Sequence, residues 1–395
     1  MKITHIKLTR KKDRTQLTAE VHFNGKIEKL YIAVAGTLDY SFNDATPFLA
    51  AGLYPAMKKS EDIYIDGTVS EKVLMGIHQI MDIVDGWKIG LHTIRIHSKQ
   101  TVKDTKNLPK KALFFSGGVD SFYTILTQNK RRKRISTFIF VHGMDISLQD
   151  TKLYKLTLNN IEKVAGTMGI TVVTVRTNIR EFTGKYVKWD FAHGPIIASI
   201  ALALRNNFNE IFISGGMHIN HMRPFGSHPL IDPLWSGEKT IINHYGSYID
   251  RLGKIREEIS KSKLALSVLR VCWRNKNTLY NCCECEKCLR TMLSLHTSGA
   301  LKYCPTFNKP IDLKILSNLY VVKNHIRYFT ENLVELQKSN RDKALINAIE
   351  TCIAKNEHRP FFNSIDIELR RFVSETDEQY FGGKIFKFAV NKGLV

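Results

Sequence analysis

Over the first hundred residues, apolar and polar positions alternate in short stretches: Ile3-Thr4-His5-Ile6-Lys7-Leu8, Leu17-Thr18-Ala19-Glu20-Val21, Leu30-Tyr31-Ile32-Ala33-Val34 and Thr93-Ile94-Arg95-Ile96. A period of two is that of strands with one buried face. One segment breaks it. From residue 71 to about 84, Val73, Leu74, Ile77, Ile80, Met81 and Val84 recur at helical spacing behind Ser70, which suits an N-cap. Residues 1 to 102 are therefore expected to form a small α+β accessory domain.

Residues 103 to 111 are polar and lysine-rich, contain Pro109, and read as a linker. Beyond them the pattern changes. Ala112-Leu113-Phe114-Phe115 is a short apolar run, followed by a glycine turn and a helix over about 121–128. Further strands are expected over 136–141, 171–175 and 210–214, separated by helices over 151–168 and 193–204. Nearly all-apolar strands alternating with helices predict an α/β fold, a doubly wound parallel sheet covered on both faces, spanning residues 112 to 305. Its ligand crevice should lie beyond the carboxyl ends of the strands. From 306 to 395 the pattern is helical again, for example over 313–328 and 341–354.

The length, 395 residues, suits two or three folding units. No run approaches the roughly 20 apolar residues of a membrane span, and Met1-Lys2-Ile3-Thr4-His5 lacks signal-peptide features. The expectation is a soluble, cytoplasmic protein with no membrane partner. The net charge of +21 draws polyanions without choosing among nucleic acid, nucleotides and an acidic protein. The run Lys130-Arg131-Arg132-Lys133-Arg134 reads first as a solvated helix end complementing the helix dipole, with a nucleic-acid contact as the other reading.

The densest chemistry follows the apolar run at 112–115. Ser116-Gly117-Gly118-Val119-Asp120-Ser121 delivers a strand directly into a helix. Two glycines let successive N–H groups converge, and the helix N-terminus adds partial positive charge, which makes a pyrophosphate cradle. Ser116 and Ser121 can add hydroxyl donors, and Asp120 can hold a magnesium ion. The Walker A pattern is absent. The six-residue string resembles the signature of the PP-loop superfamily, the N-type ATP pyrophosphatases. That resemblance implies a sheet of the PP-loop type, ATP with Mg2+, and adenylation of a carbonyl-type oxygen with release of pyrophosphate. It also implies that the backbone at His142-Gly143, ending the second strand of this region, meets the adenine.

Other candidates sit where such a fold would place its site. Asp190 and His193, in Trp189-Asp190-Phe191-Ala192-His193-Gly194-Pro195, lie near a helix start, as anion-facing groups or as caps. The long polar loop 214–236 carries His218, His221, Arg223, His228 and Asp232, and a substrate role is favoured there. The candidate acid–base set is Asp120, Ser121, His193 and Asp232; the candidate substrate contacts are Asp190, His218, Arg223 and His228.

Five of the seven cysteines crowd into one stretch. Cys272 followed by Cys282-x-x-Cys285-x-x-Cys288 gives four thiolates at spacing suited to tetrahedral Zn2+, with Cys283 the alternative to Cys282. A late cysteine followed by this triplet, with Cys288-Leu289-Arg290, resembles the zinc site of 7-cyano-7-deazaguanine synthases, which are PP-loop enzymes. The resemblance covers about residues 112 to 295. It implies a structural zinc and ATP-dependent activation of the carboxylate of a deazapurine-like small acid for attack by a nitrogen nucleophile. Two departures stand out: the added terminal regions, and His193-Gly194-Pro195 where that family has Pro-x-Arg-Asn. They imply a divergent relative with another acceptor. In related proteins of antiviral defence operons the acceptor can be the amino terminus of a partner protein. A tRNA-modifying PP-loop enzyme, supported by the net charge but not favoured, and a non-catalytic nucleotide-binding scaffold are the competing readings.

Overall fold

In the computed structural model, which describes residues 1–41, 43–102, 110–131, 134–275, 279–339 and 342–357, the strands of both sequence regions join in one sheet. Among the described residues these are β1 (Lys2–Arg10), β2 (Arg14–Phe23), β3 (Lys26–Ala35), β4 (Ile63–Ser70) and β5 (Ile96–Val102). They continue with β6 (Lys111–Phe114), β7 (Thr137–His142), β8 (Thr171–Thr177), β9 (Glu210–Ser214) and β10 (Ile241–Tyr245). The spatial order is β10-β9-β6-β7-β8-β3-β2-β1-β4-β5. Pairing is mostly parallel; only β1–β2, β2–β3 and β3–β8 run antiparallel. The α/β class follows directly.

The join between β3 and β8 sets Ile32 opposite Thr177 and Val34 opposite Val175. Thr177 Oγ1 donates to the Tyr31 carbonyl at 2.6 Å, and Asn178 Oδ1 accepts from the Tyr31 N–H at 3.0 Å. One compact unit accordingly runs Met1–Ile311, and a second runs Asp312–Val395. The physical reason lies in Ile32-Ala33-Val34: three consecutive buried apolar residues are covered on both faces, as in a central strand rather than an edge.

Two helices of the first hundred residues pack on this sheet. The first, α1 (Thr46–Lys59), has no counterpart in the sequence reading because Thr46 through Met57 are all buried, leaving no polar face to reveal a helical period. The second, α2 (Glu71–Gly86), starts as expected, with Ser70 Oγ accepting from the Val73 N–H at 3.2 Å. A buried ion pair, Arg205 to Asp44 at 2.6 Å, fixes the approach to α1.

Helices α3 (Val119–Lys130), α4 (Thr151–Met168), α5 (Ile179–Thr183), α6 (Trp189–Leu204), α7 (Arg251–Glu257), α8 (Lys263–Val268) and α9 (Glu286–Thr297) complete the first unit. Strand residues alternate between two cores. On one side, Phe115 stacks on Phe138 at 4.0 Å and meets Phe122 of α3 edge-on at 5.0 Å, while Phe140 stacks on Tyr154 of α4. On the other, Ala112, Ile139, Ile211 and Ile213 share a core with Ile196 and Ile200 of α6 and with α1. The chain passes from β6 to β7 on one side and returns as β9 on the other, so the order reverses at β6 and a crevice opens beyond its carboxyl end.

In the second unit, α10 (Leu313–Ser317) and α11 (Ile326–Ser339) each pack on α12 (Lys343–Glu357). The single helix expected over 313–328 is broken. Asn356 of α12 satisfies the backbone at the break, accepting from the Val321 N–H at 3.0 Å and donating to the Leu319 carbonyl at 2.9 Å. Residues 103–109 of the expected linker, Arg132 and Lys133 of the basic run, and residues 358–395 of the C-terminal region lie outside the described residues. No described helix is long and apolar enough to cross a membrane.

Candidate functional site

A cavity of about 310 Å³ occupies the crevice at the order reversal. Its walls come from the carboxyl ends of β6, β7, β9 and β10, from the start of α3 and from Arg270 to Trp273. Ser116, Gly118, Val119, Asp120, Ser121 and His193 line it. Gly117 lies just behind, in the left-handed region at φ 73°, and its carbonyl accepts from the Arg270 N–H at 2.9 Å. Gly118 caps α3 with no side-chain hydrogen bond, so the helix start faces the cavity without a competing cap. Ser121 Oγ donates back to the Gly118 carbonyl at 3.1 Å.

Asp120 is surrounded by cations. Lys254 Nζ lies 2.8 Å from Oδ1 and Arg251 Nη1 lies 3.3 Å from Oδ2. Burial alone would raise the carboxyl; the Lys254 and Arg251 charges outweigh it and hold Asp120 well below the usual carboxylate range. In this arrangement the carboxylate oxygens expected to meet magnesium are ion-paired to protein. Arg251, Arg270 and Lys287 also line the cavity. The loop at 116–121 thus opens onto a helix start and three basic side chains, an end suited to a polyanion.

The other candidates divide. His142 is buried, stacked on Tyr154 at 4.1 Å with Nε2 2.9 Å from the Ser147 carbonyl, and does not line the cavity. Neither does Gly143, at φ 100°, although Val141, Met144 and Asp145 beside them do. His193 holds a loop: its Nδ1 lies 3.0 Å from the Trp189 carbonyl, and its Nε2 accepts from the Ser227 N–H at 3.2 Å. Both ring nitrogens are engaged, which leaves no lone pair for a substrate proton. Burial pushes the His142, His193 and His228 rings below the usual histidine range. His228 packs edge-on against Trp87, His218 Nδ1 accepts from the Asn220 N–H, Arg223 lies over Phe225, and Asp190 is exposed. None of these four lines the cavity.

Asp232 is the hub of a network that the sequence did not disclose. Its side chain is 1 % exposed, and its Oδ2 accepts from Ser227 Oγ at 2.6 Å and lies 2.7 Å from His244 Nδ1. Its Oδ1 accepts from the His228 N–H at 3.2 Å. His244 Nε2 in turn lies 2.8 Å from Ser247 Oγ. His244 and Ser247 both line the cavity, one and two hydrogen bonds in front of Asp232.

Beside this site, Cys272, Cys282, Cys285 and Cys288 are buried with their sulfurs within 4.8 Å of one another, a set that could hold a metal such as zinc. Cys282 Sγ accepts from the Cys285 N–H at 3.3 Å, and Cys285 Sγ caps α9 by accepting from the Cys288 N–H at 3.4 Å. Cys283 takes φ 61° and turns its sulfur toward Asn281 and Asn308, outside the cluster. The cluster fixes the start of α9, which carries Lys287 to the cavity wall.

Arg251, Lys254, Arg270, Lys287, His244 and Ser247 were all missed by sequence reasoning. Lys287 lay in plain view between Cys285 and Cys288, but the others carry no local signal. No family model, curated protein or solved structure matches the chain.

Proposed function

We propose that the cavity binds ATP and that the protein is an adenylating enzyme of the PP-loop type, releasing pyrophosphate as it activates a carboxylate for attack by a nitrogen nucleophile. The observation that carries this reading is the start of α3, capped by no side chain and opening with Ser116 and Gly118 onto a cavity that Arg251, Arg270 and Lys287 also line. Phosphate oxygens would take the loop N–H groups and these cations, and the apolar wall at Phe140, Val141 and Ile146 suits a purine ring. Asp120 orders Lys254 and Arg251, and the carboxylate lone pairs that those contacts leave could hold magnesium. The acid is a small, deazapurine-like carboxylate, and the acceptor is an amine, either small or the amino terminus of a partner protein. A zinc in the four-cysteine cage is structural, because four thiolates leave no open position.

Incubation with ATP and candidate acids is expected to release AMP and pyrophosphate, with Asp120→Ala lowering turnover by at least a hundredfold. Release of ADP in place of AMP would sink the proposal.

A further inference from the structure

Ser247, His244 and Asp232 make an array that phosphate binding does not use. The serine oxygen lies 2.8 Å from His244 Nε2, and the opposite ring nitrogen lies 2.7 Å from the buried carboxylate. That carboxylate is itself fixed by Ser227 Oγ and the His228 N–H, so it accepts from His244 and sets the ring with Nδ1–H toward Asp232. The Nε2 lone pair then faces the Ser247 hydroxyl, the arrangement by which a histidine draws a proton from a serine nucleophile.

The surroundings keep the pair free of obstruction and in register. A Cβ on Gly215 would fall 2.4 Å from Ser247 Oγ and 2.6 Å from His244 Nε2, so only glycine at the end of β9 leaves room for them. The Ser247 carbonyl accepts from the Ile219 N–H at 2.7 Å, which anchors the serine backbone to the loop after β9. The serine is 8 % exposed and its exposure is to the same cavity that Ser116 and Gly118 line.

We infer that Ser247 is a catalytic nucleophile, activated by His244 and oriented through Asp232, that accepts an acyl group inside this cavity. The substrate class is an activated acyl compound; resting on the adenylation reading, the donor is the acyl adenylate formed at the phosphate loop. The Ser247 proton passes to His244 Nε2 as Oγ bonds the acyl carbon, and the acyl–phosphate C–O bond breaks with AMP leaving on the electron pair. An amine then attacks the serine ester. The Ser247 oxygen leaves, recovering the proton held on His244, and the surplus proton of the amine passes to solvent. The serine ester thereby separates carboxylate activation from amide formation, and AMP can depart before the amine arrives.

The test treats the full chain with a fluorophosphonate probe and locates the adduct by peptide mass spectrometry, alongside ATP–pyrophosphate exchange with candidate acids. The expected result is phosphonylation of Ser247, slowed at least tenfold in His244→Gln of unchanged circular dichroism. Absence of an adduct on Ser247 in the native protein, or labelling indifferent to His244→Gln, would overturn the nucleophile whatever the exchange assay shows. Labelling at Ser247 without exchange would overturn the adenylate as donor and leave the activated serine standing.

Discussion

Lys254 Nζ lies 2.8 Å from Asp120 Oδ1 and also donates to the Gly215 carbonyl, so one ammonium, its side chain 2 % exposed, ties the start of α3 to the end of β9. Replacing it by Lys254→Met leaves Asp120 the Arg251 ion pair and the more distant Lys287 charge, and strips the Gly215 carbonyl of a donor. Breaking one partner of a buried pair typically costs about 3–5 kcal/mol, and urea unfolding should show a loss of that order. The acid limb should also change. Because Asp120 is held below its ordinary value of 3.8, its contribution is full above that pH and is lost as pH falls toward the lower folded-state value. Lys254→Met is expected to flatten the decline of stability between about pH 5 and 2.5; a decline as steep as that of the parent protein would contradict the assignment.

Three buried or half-buried histidines impose a second dependence at milder pH. His142, His193 and His228 each have a folded-state pKa pushed below 6.5, so below that pH the unfolded chain takes up protons that the folded one refuses. Stability should therefore be flat above about pH 7 and fall below 6.5, by up to about 1.4 kcal/mol per pH unit for each histidine. Denaturant midpoints measured from pH 7.5 to 5.5 would read this directly. His193→Gln should shallow the slope by one histidine's share.

The cysteines allow a clean comparison. Native mass spectrometry is expected to find one zinc per chain, lost in Cys282→Ser and Cys288→Ser together with several kcal/mol of stability. Cys283→Ser should keep the metal and change stability by less than about 1 kcal/mol, since that sulfur faces Asn281 and Asn308. Loss of zinc in Cys283→Ser would mean that the ligand set is misassigned.

Gly194 tests how the loop after β9 is held. A Cβ there would lie 1.8 Å from the Gly226 carbonyl oxygen, while the Gly226 N–H donates to the Asp190 carbonyl at 2.7 Å. Gly194→Ala must push this loop off α6, at a cost of about 3 kcal/mol by the usual penalty for overpacking. The His193 bond to Ser227 is lost with it, and amide exchange at Ser227 should rise by an order of magnitude or more.

The parts of the site written as contiguous strings were legible beforehand. A strand, two glycines and a helix start within ten residues announce the loop at 116–121, and three evenly spaced cysteines announce the buried four-cysteine cluster. What escaped is assembled from distant segments. Asp120 meets Arg251 and Lys254 across 131 and 134 residues of chain, and in sequence those two are ordinary basic positions on a helix. His244 and Ser247 follow a five-residue strand too short to show a period. His142, His193 and His228 were singled out because histidine can titrate, yet the backbone and its neighbours occupy their rings. Helix α1 escaped for the opposite reason: buried on all sides, it carries no polar face.

The shared main-chain bonds from Ile32 to Val34 across to β8 also constrain motion. With that seam closed, the first hundred residues cannot swing over the crevice as a lid, because opening would break a sheet that both cores clasp. Seven strand spacings separate β5 from β6, roughly 34 Å at about 4.8 Å each. On the adenylation reading proposed above, a macromolecular acceptor held at the β5 edge would have to reach the cavity across that fixed width of sheet.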